Sequence, residues 1–130
     1  MTDQELLEQF ECGSLPNQSF HHRDHVRVAF LYLSKYPVLD TLQAFCKALQ
    51  RFAAAHGKPK LYHETVTWAY IFLIRERMAR AGTRESWDEF ARNNPDLLTW
   101  KNGLLNRYYR EETLASELAK TMFIFPDRCE

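Results

Sequence analysis

The sequence predicts an all-α protein, an irregular single-domain bundle of about five to seven helices. Three observations carry this expectation. Helix start and stop signals follow one another along the chain with only short gaps between them. Apolar residues recur at helical spacing, and no segment shows sustained period-two alternation with β-branched residues, so no strand is expected. Finally, 130 residues with 45% apolar content fit one domain, and nine Phe, six Tyr and three Trp give it a strongly aromatic core.

The elements follow in order. Thr2 and Glu5 form a capping box that opens a first helix to about Glu11, with Gly13 as its stop. Residues Ser14 to Ser19, which include Pro16, read as a loop, so positions 1–19 make an N-terminal helix and its connection. A second helix runs from about His22 to Ser34. Pro37 suits the first turn of a third, which continues to His56 before Gly57. After the connector Lys58-Pro59-Lys60, the fourth helix spans about Tyr62 to Arg80 and Gly82 closes it. Ser86 and Glu89 form another capping box, whose helix must end before Pro95. Asn94-Pro95 restarts a helical turn, Gly103 interrupts it, Glu111 to Met122 reads as the last helix, and residues 123–130 form a tail broken by Pro126.

Composition excludes several functions. Seventeen basic and seventeen acidic residues cancel and are interspersed, so no strong field is available to hold a polyanion, and nucleic-acid binding is not expected. No stretch approaches the roughly 18 apolar residues of a membrane span, and the acidic start MTDQELLEQF lacks the apolar core of a secretory signal. Cys12, Cys46 and Cys129 are an odd, widely spaced set without a C-x-x-C pair. That pattern fits neither a disulfide framework nor a thiolate zinc site, and a reducing, cytoplasmic setting is expected.

Placing residues at about 100° each puts His22 and His25 on the side of the second helix that carries Ala29, Tyr32 and Leu33, opposite Arg23, Arg27 and Ser34. On the fourth helix His63 and Thr67 join the stripe of Val66, Tyr70, Leu73 and Ile74, and Glu64 lies a quarter-turn away with Trp68, Ile71 and Arg75. All three imidazoles therefore sit near helix N-termini and face inward. The partial positive charge there, together with burial, favours neutral rings with a free lone pair.

The segment Phe20-x-His22-x-Asp24-His25-Val26-Arg27-x-Ala29, followed by Tyr62-His63-Glu64-Thr65-x-Thr67, resembles a family of small uncharacterised bacterial proteins. The stretches Asn94-Pro95-Asp96-Leu97-Leu98, Leu105-x-Arg107-Tyr108-Tyr109 and Phe125-Pro126-Asp127 are similar to that family too, so the likeness spans residues 20 to 127. The chain departs from the pattern at Arg110, where a Ser commonly follows the two tyrosines, a change expected to alter a helix cap. The resemblance implies a site at His22, His25, His63 and Glu64 and no particular reaction.

Three neutral imidazoles with an open fourth position match the ligand count of a catalytic divalent transition metal such as Zn or Fe. His22, His25 and His63 are then the metal ligands, and Glu64 is the acid/base or supporting group for hydrolytic or oxygen-dependent chemistry on a small molecule. A metal-free version makes one imidazole a general base, oriented by Glu64 or Asp24, beneath Phe20, Tyr62 and Trp68. The alternative is a helical ligand-binding or protein-interaction module whose histidines are buried polar anchors. In that reading Trp87, Trp100, Tyr108 and Tyr109 are candidate surface aromatics, with core packing as their simpler explanation, and Arg75, Arg77, Arg80 and Arg84 form a solvated basic helix end. For Asp24 the simple role is to complement the helix dipole, and for Thr65 and Thr67 it is a bond back to carbonyls of their own helix.

Overall fold

The computed structural model describes residues 2–13, 21–99 and 103–128. Every regular element among them is helical: α1 Asp3–Cys12, α2 His22–Lys35, α3 Val38–Ala55, α4 Glu64–Arg80, α5 Trp87–Asn93, α6 Glu111–Leu114 and α7 Glu117–Thr121. Three 3-10 turns join them, at Pro59–Leu61, Pro95–Leu98 and Leu104–Arg107. The all-α expectation therefore holds. The loop from Ser14 to Ser19, Phe20, Trp100 and Cys129 lie outside the described residues. The chain divides into two compact units, Met1–Tyr62 and His63–Glu130, each with its own helical packing.

In the first unit α1, α2 and α3 pack against one another. The Thr2 hydroxyl accepts from Glu5 N at 3.1 Å while the Glu5 carboxylate accepts from Thr2 N at 3.1 Å, which satisfies two N–H groups that the start of α1 leaves without partners. Gly13 ends α1 at φ +74°, a left-handed position that costs glycine nothing. The ring of Phe10, only 1% exposed, lies 5.7 Å from Phe45 and 6.1 Å from Phe52, and Tyr32 meets Phe45 edge-on at 6.1 Å. The aromatic core expected from composition is thus real. Burial pushes the Tyr32 phenol well above its ordinary range, and Glu11 adds to the effect. An Arg27–Asp3 contact of 2.6 Å ties α2 to α1. Helix α2 departs from the single inward stripe: Val26 and the whole run from Val28 to Tyr32 are buried, so it is enclosed on nearly all sides.

In the second unit α4 starts two residues later than expected, because His63 caps it instead of lying within it. The buried residues of α4 are Thr65, Thr67, Ala69, Tyr70, Ile71 and Ile74, with Ile71 and Ile74 fully enclosed. Ile71 was expected beside Arg75, off the apolar stripe; the burial of Thr65, Ala69 and Ile71 shows a wider inward face than one stripe. Helix α5 carries the expected Ser86–Glu89 capping box, and of the four candidate surface aromatics Trp87 and Tyr109 prove to be core. The continuous last helix expected over Glu111 to Met122 is instead two short ones. Ser116 breaks it: its hydroxyl donates to Thr113 O at 2.7 Å and accepts from Ala119 N at 3.2 Å, ending α6 and capping α7.

Arg77 was read as part of a solvated basic end, but it is a structural contact. Its guanidinium meets both Asp96 oxygens, at 3.0 and 2.7 Å, and also Asn94 Oδ1 at 2.9 Å, fastening the last turns of α4 to the turn Pro95–Leu98. The arginine holds the Asp96 carboxyl below the usual carboxylate range. The pair is partly open to water, so Asp96→Asn should cost at most about 1 kcal/mol. Because the folded value lies below that of an unfolded Asp, about 3.9, the contribution is present above that pH and lost as pH falls through the folded value. Urea midpoints of wild type and Asp96→Asn should therefore differ at pH 7, with the gap narrowing as the pH is taken below that of an unfolded Asp. A gap that stays constant over that range would show that the charge contributes nothing.

Candidate functional site

The histidine segment of α4 is occupied by hydrogen bonds within its own unit. His63 is the N-cap residue, with extended backbone at φ −131° and ψ 108°. Its Nδ1 accepts from Val66 N at 3.2 Å, and its Nε2 lies 2.6 Å from Leu114 O. A carbonyl only accepts, so Nε2 carries the proton and Nδ1 the lone pair. The ring is the neutral Nε2–H tautomer, as the position at a helix N-terminus suggested, yet neither nitrogen is left open. One satisfies its own helix, and the other spans 51 residues to the end of α6.

Thr65, fully buried, extends this attachment. Its hydroxyl lies 2.7 Å from Ala119 O and 2.8 Å from Met122 O as a shared donor, and accepts from Ile124 N at 3.1 Å. Thr67 alone makes the local bond expected of both threonines, donating to His63 O at 2.7 Å. His63 and Thr65 thus work as a clamp on residues 114–124.

Residues 123–128, expected as part of a tail broken by Pro126, are held by hydrogen bonds. Tyr109, 1% exposed, donates its hydroxyl to Ile124 O at 2.6 Å, and burial raises its phenol. Asp127 N and Arg128 N both donate to Tyr108 O at 3.0 Å, and Arg128 Nη1 donates to Asn106 O at 2.7 Å. Asp127 accepts from Arg110 N at 2.9 Å and from the Thr113 hydroxyl, bonds that hold its carboxyl below the usual range. Arg110 occupies the N-cap of α6 without a side-chain bond, and Asp127 supplies that cap from 17 residues away.

The other predicted site residues have different settings. His22 and His25 are half-buried in the first two turns of α2, in the first unit, whereas His63 and Glu64 belong to the second. Asp24 lies in the first turn of α2, where it complements the dipole as foreseen, and its carboxylate also accepts from His21 N at 3.0 Å. Glu64 opens the first turn of α4, where a carboxylate complements the dipole. Among the described residues, no group of three or more His, Cys, Asp or Glu side chains is gathered as a metal site. Cys46 is buried and Cys12 is exposed.

Aromatic side chains also form a surface on the second unit. Trp68 stacks on Phe123 at 5.6 Å, and Phe123 meets Phe72 at 6.4 Å and Phe125 at 5.8 Å, both edge-on. Phe72, Tyr108 and Phe125 are exposed. No sequence signal marked Thr65, Ser116 or Asp127 as organising residues. Compared with family models, curated proteins and solved structures, the chain finds no match.

Two substitution series test the clamp. His63→Ala removes a cap and a long-range bond and should cost roughly 2 kcal/mol. His63→Asn, which still caps, should recover about half of that in denaturant melts; if Asn proves as damaging as Ala, the cap contributes nothing. Thr65→Val keeps the shape but strands Ala119 O, Met122 O and Ile124 N, a cost of about 2–3 kcal/mol. Thr65→Ser should restore most of it. Hydrogen exchange at the Ile124 amide reads the same bond, and unchanged protection in Thr65→Val would show that the hydroxyl does not hold it.

Proposed function

We propose that this chain acts as a metal-free helical binding module, with the imidazole of His63 serving as a structural anchor. The observation that carries the reading is the double engagement of the His63 ring. A ligand to zinc or iron must offer a lone pair, and the only lone pair of this tautomer accepts the Val66 amide 3.2 Å away. Recruiting His63 to a metal would uncap α4 or release Leu114 O, at a cost of about 1 kcal/mol for either bond. The solvent-facing aromatics Phe72, Tyr108 and Phe125 give such a module a surface with which to bind. No helix among the described residues is long and apolar enough to cross a membrane. Work in the cytoplasm, argued from the three cysteines, and the likeness to the small bacterial family belong to this same reading.

Elemental analysis of tag-free protein, before and after reconstitution with zinc and with iron, decides between this and a metal centre at His22, His25 and His63 supported by Glu64. The expected result is substoichiometric metal that is the same in wild type and in His63→Asn. Near-stoichiometric metal that disappears in His63→Asn would overturn the reading and restore the metal-dependent enzyme acting on a small molecule.

A further inference from the structure

Helix α4 presents a second feature on its outer side, beyond the clamp. Phe72, Arg75, Glu76, Ala79 and Arg80 stand at spacings of three and four and so line one helical face. With Leu73 and Tyr108 they bound a groove of about 700 Å³ that is open to solvent along one side. Volume alone suits a small molecule, but such ligands are usually enclosed over most of their surface, and this groove has no roof. Its shape fits a segment of chain laid along α4.

Side-chain chemistry narrows the occupant. Phe72 and Tyr108 are exposed rings, and Ala79 adds a small exposed apolar side chain to the lining. Arg75 and Arg80 bring two positive charges to the lining and Glu76 one negative, leaving a net of +1 on a chain whose formal net charge is zero. Arg80 lies 3.4 Å from Glu76 and compensates it, so Arg75 stands as the excess cation of the groove. Arg77, the intervening arginine, is committed to Asp96 and takes no part. Exposed aromatic rings beside an arginine are the composition of interface hot spots, and a local excess of one sign selects a partner of the other.

We infer that the groove along α4 docks an acidic amphipathic helix of a partner protein, its apolar side chains on Phe72, Ala79 and Tyr108 and a carboxylate on Arg75. This rests on the reading of the chain as a binding module and adds the partner's chemistry. A second copy of this chain, balanced in charge, is the competing occupant, and a concentration series in analytical ultracentrifugation tests for it.

A displayed library of random peptides of about 12 residues, some 18 Å as a helix, is long enough to follow the groove. Selection on full-length protein is expected to enrich peptides with Asp or Glu beside aromatic or aliphatic residues at helical spacing. Their amide-shift changes on the protein should centre on residues 72–80 and Tyr108. Arg75→Glu should weaken the selected peptides at least tenfold, with fold and thermal midpoint unchanged, and selection on that variant should turn toward Lys and Arg. Ala79→Trp, which puts a large ring into the lining, should abolish binding. Enrichment without acidic bias, shifts confined to other surfaces, no enrichment at all, or a dimer whose contacts bury residues 72–80 would each overturn the proposal. Shifts elsewhere would still leave a binding module, whereas bound metal in the elemental analysis strikes that reading and not the groove.

Discussion

The second unit depends on hydrogen bonds between the first turn of α4 and the end of the chain. Short helices are poor folding elements alone, since nucleation is costly and few turns are left to repay it. Helices α6 and α7, with four and five residues, have no stability of their own to offer. Their carbonyls at Leu114 and Ala119 are satisfied by His63 and Thr65, and the run after α7 is fixed through Ile124 on both its N–H and its C=O. Without those bonds the C-terminal third has buried polar groups and little regular structure to absorb them.

This explains why an imidazole suits position 63. An asparagine or serine would cap α4 through its oxygen, but its shorter side chain lacks the reach of the far ring nitrogen. Histidine has two ring nitrogens directed apart, one able to accept and the other to donate in the neutral form, so a single side chain serves its own helix and a carbonyl 51 residues distant. The features that made His63 look like a ligand are the ones this role needs: a neutral ring, a helix start and an inward aim. Function and structure share their signature here, and only the partners of the two nitrogens tell them apart.

What was legible in the sequence is what depends on neighbours within one turn. The Thr2–Glu5 and Ser86–Glu89 boxes, the end of α1 at Gly13 and the short helix before Pro95 all rest on contacts three or four residues apart. The aromatic core of the first unit followed from composition, because rings of that size must be buried somewhere. What escaped was set by distance along the chain. Thr65 was read as bonding within its helix, since nothing local reveals acceptors 54 and 57 residues away. Ser116 was overlooked because its competition with the helix backbone becomes decisive only once Ala119 and Met122 are tied to Thr65. For the candidate site, the inward character of His63 was readable and its use was not, and the groove on α4 needed Tyr108 beside a helix that ended 28 residues earlier.

The clamp also imposes an order on biosynthesis. His63 and Thr65 leave the ribosome long before their acceptors, and with 51 residues between His63 and Leu114, elongation at about 5–20 residues per second separates them by roughly three to ten seconds. Through that interval the nascent α4 has no tertiary partner for its opening turn, and its inward face of Tyr70, Ile71 and Ile74 waits uncovered from that side. Completion of this unit is thus necessarily a late, post-emergence event, and the nascent chain passes through a sticky stage whose length is fixed by the spacing between residues 63 and 124.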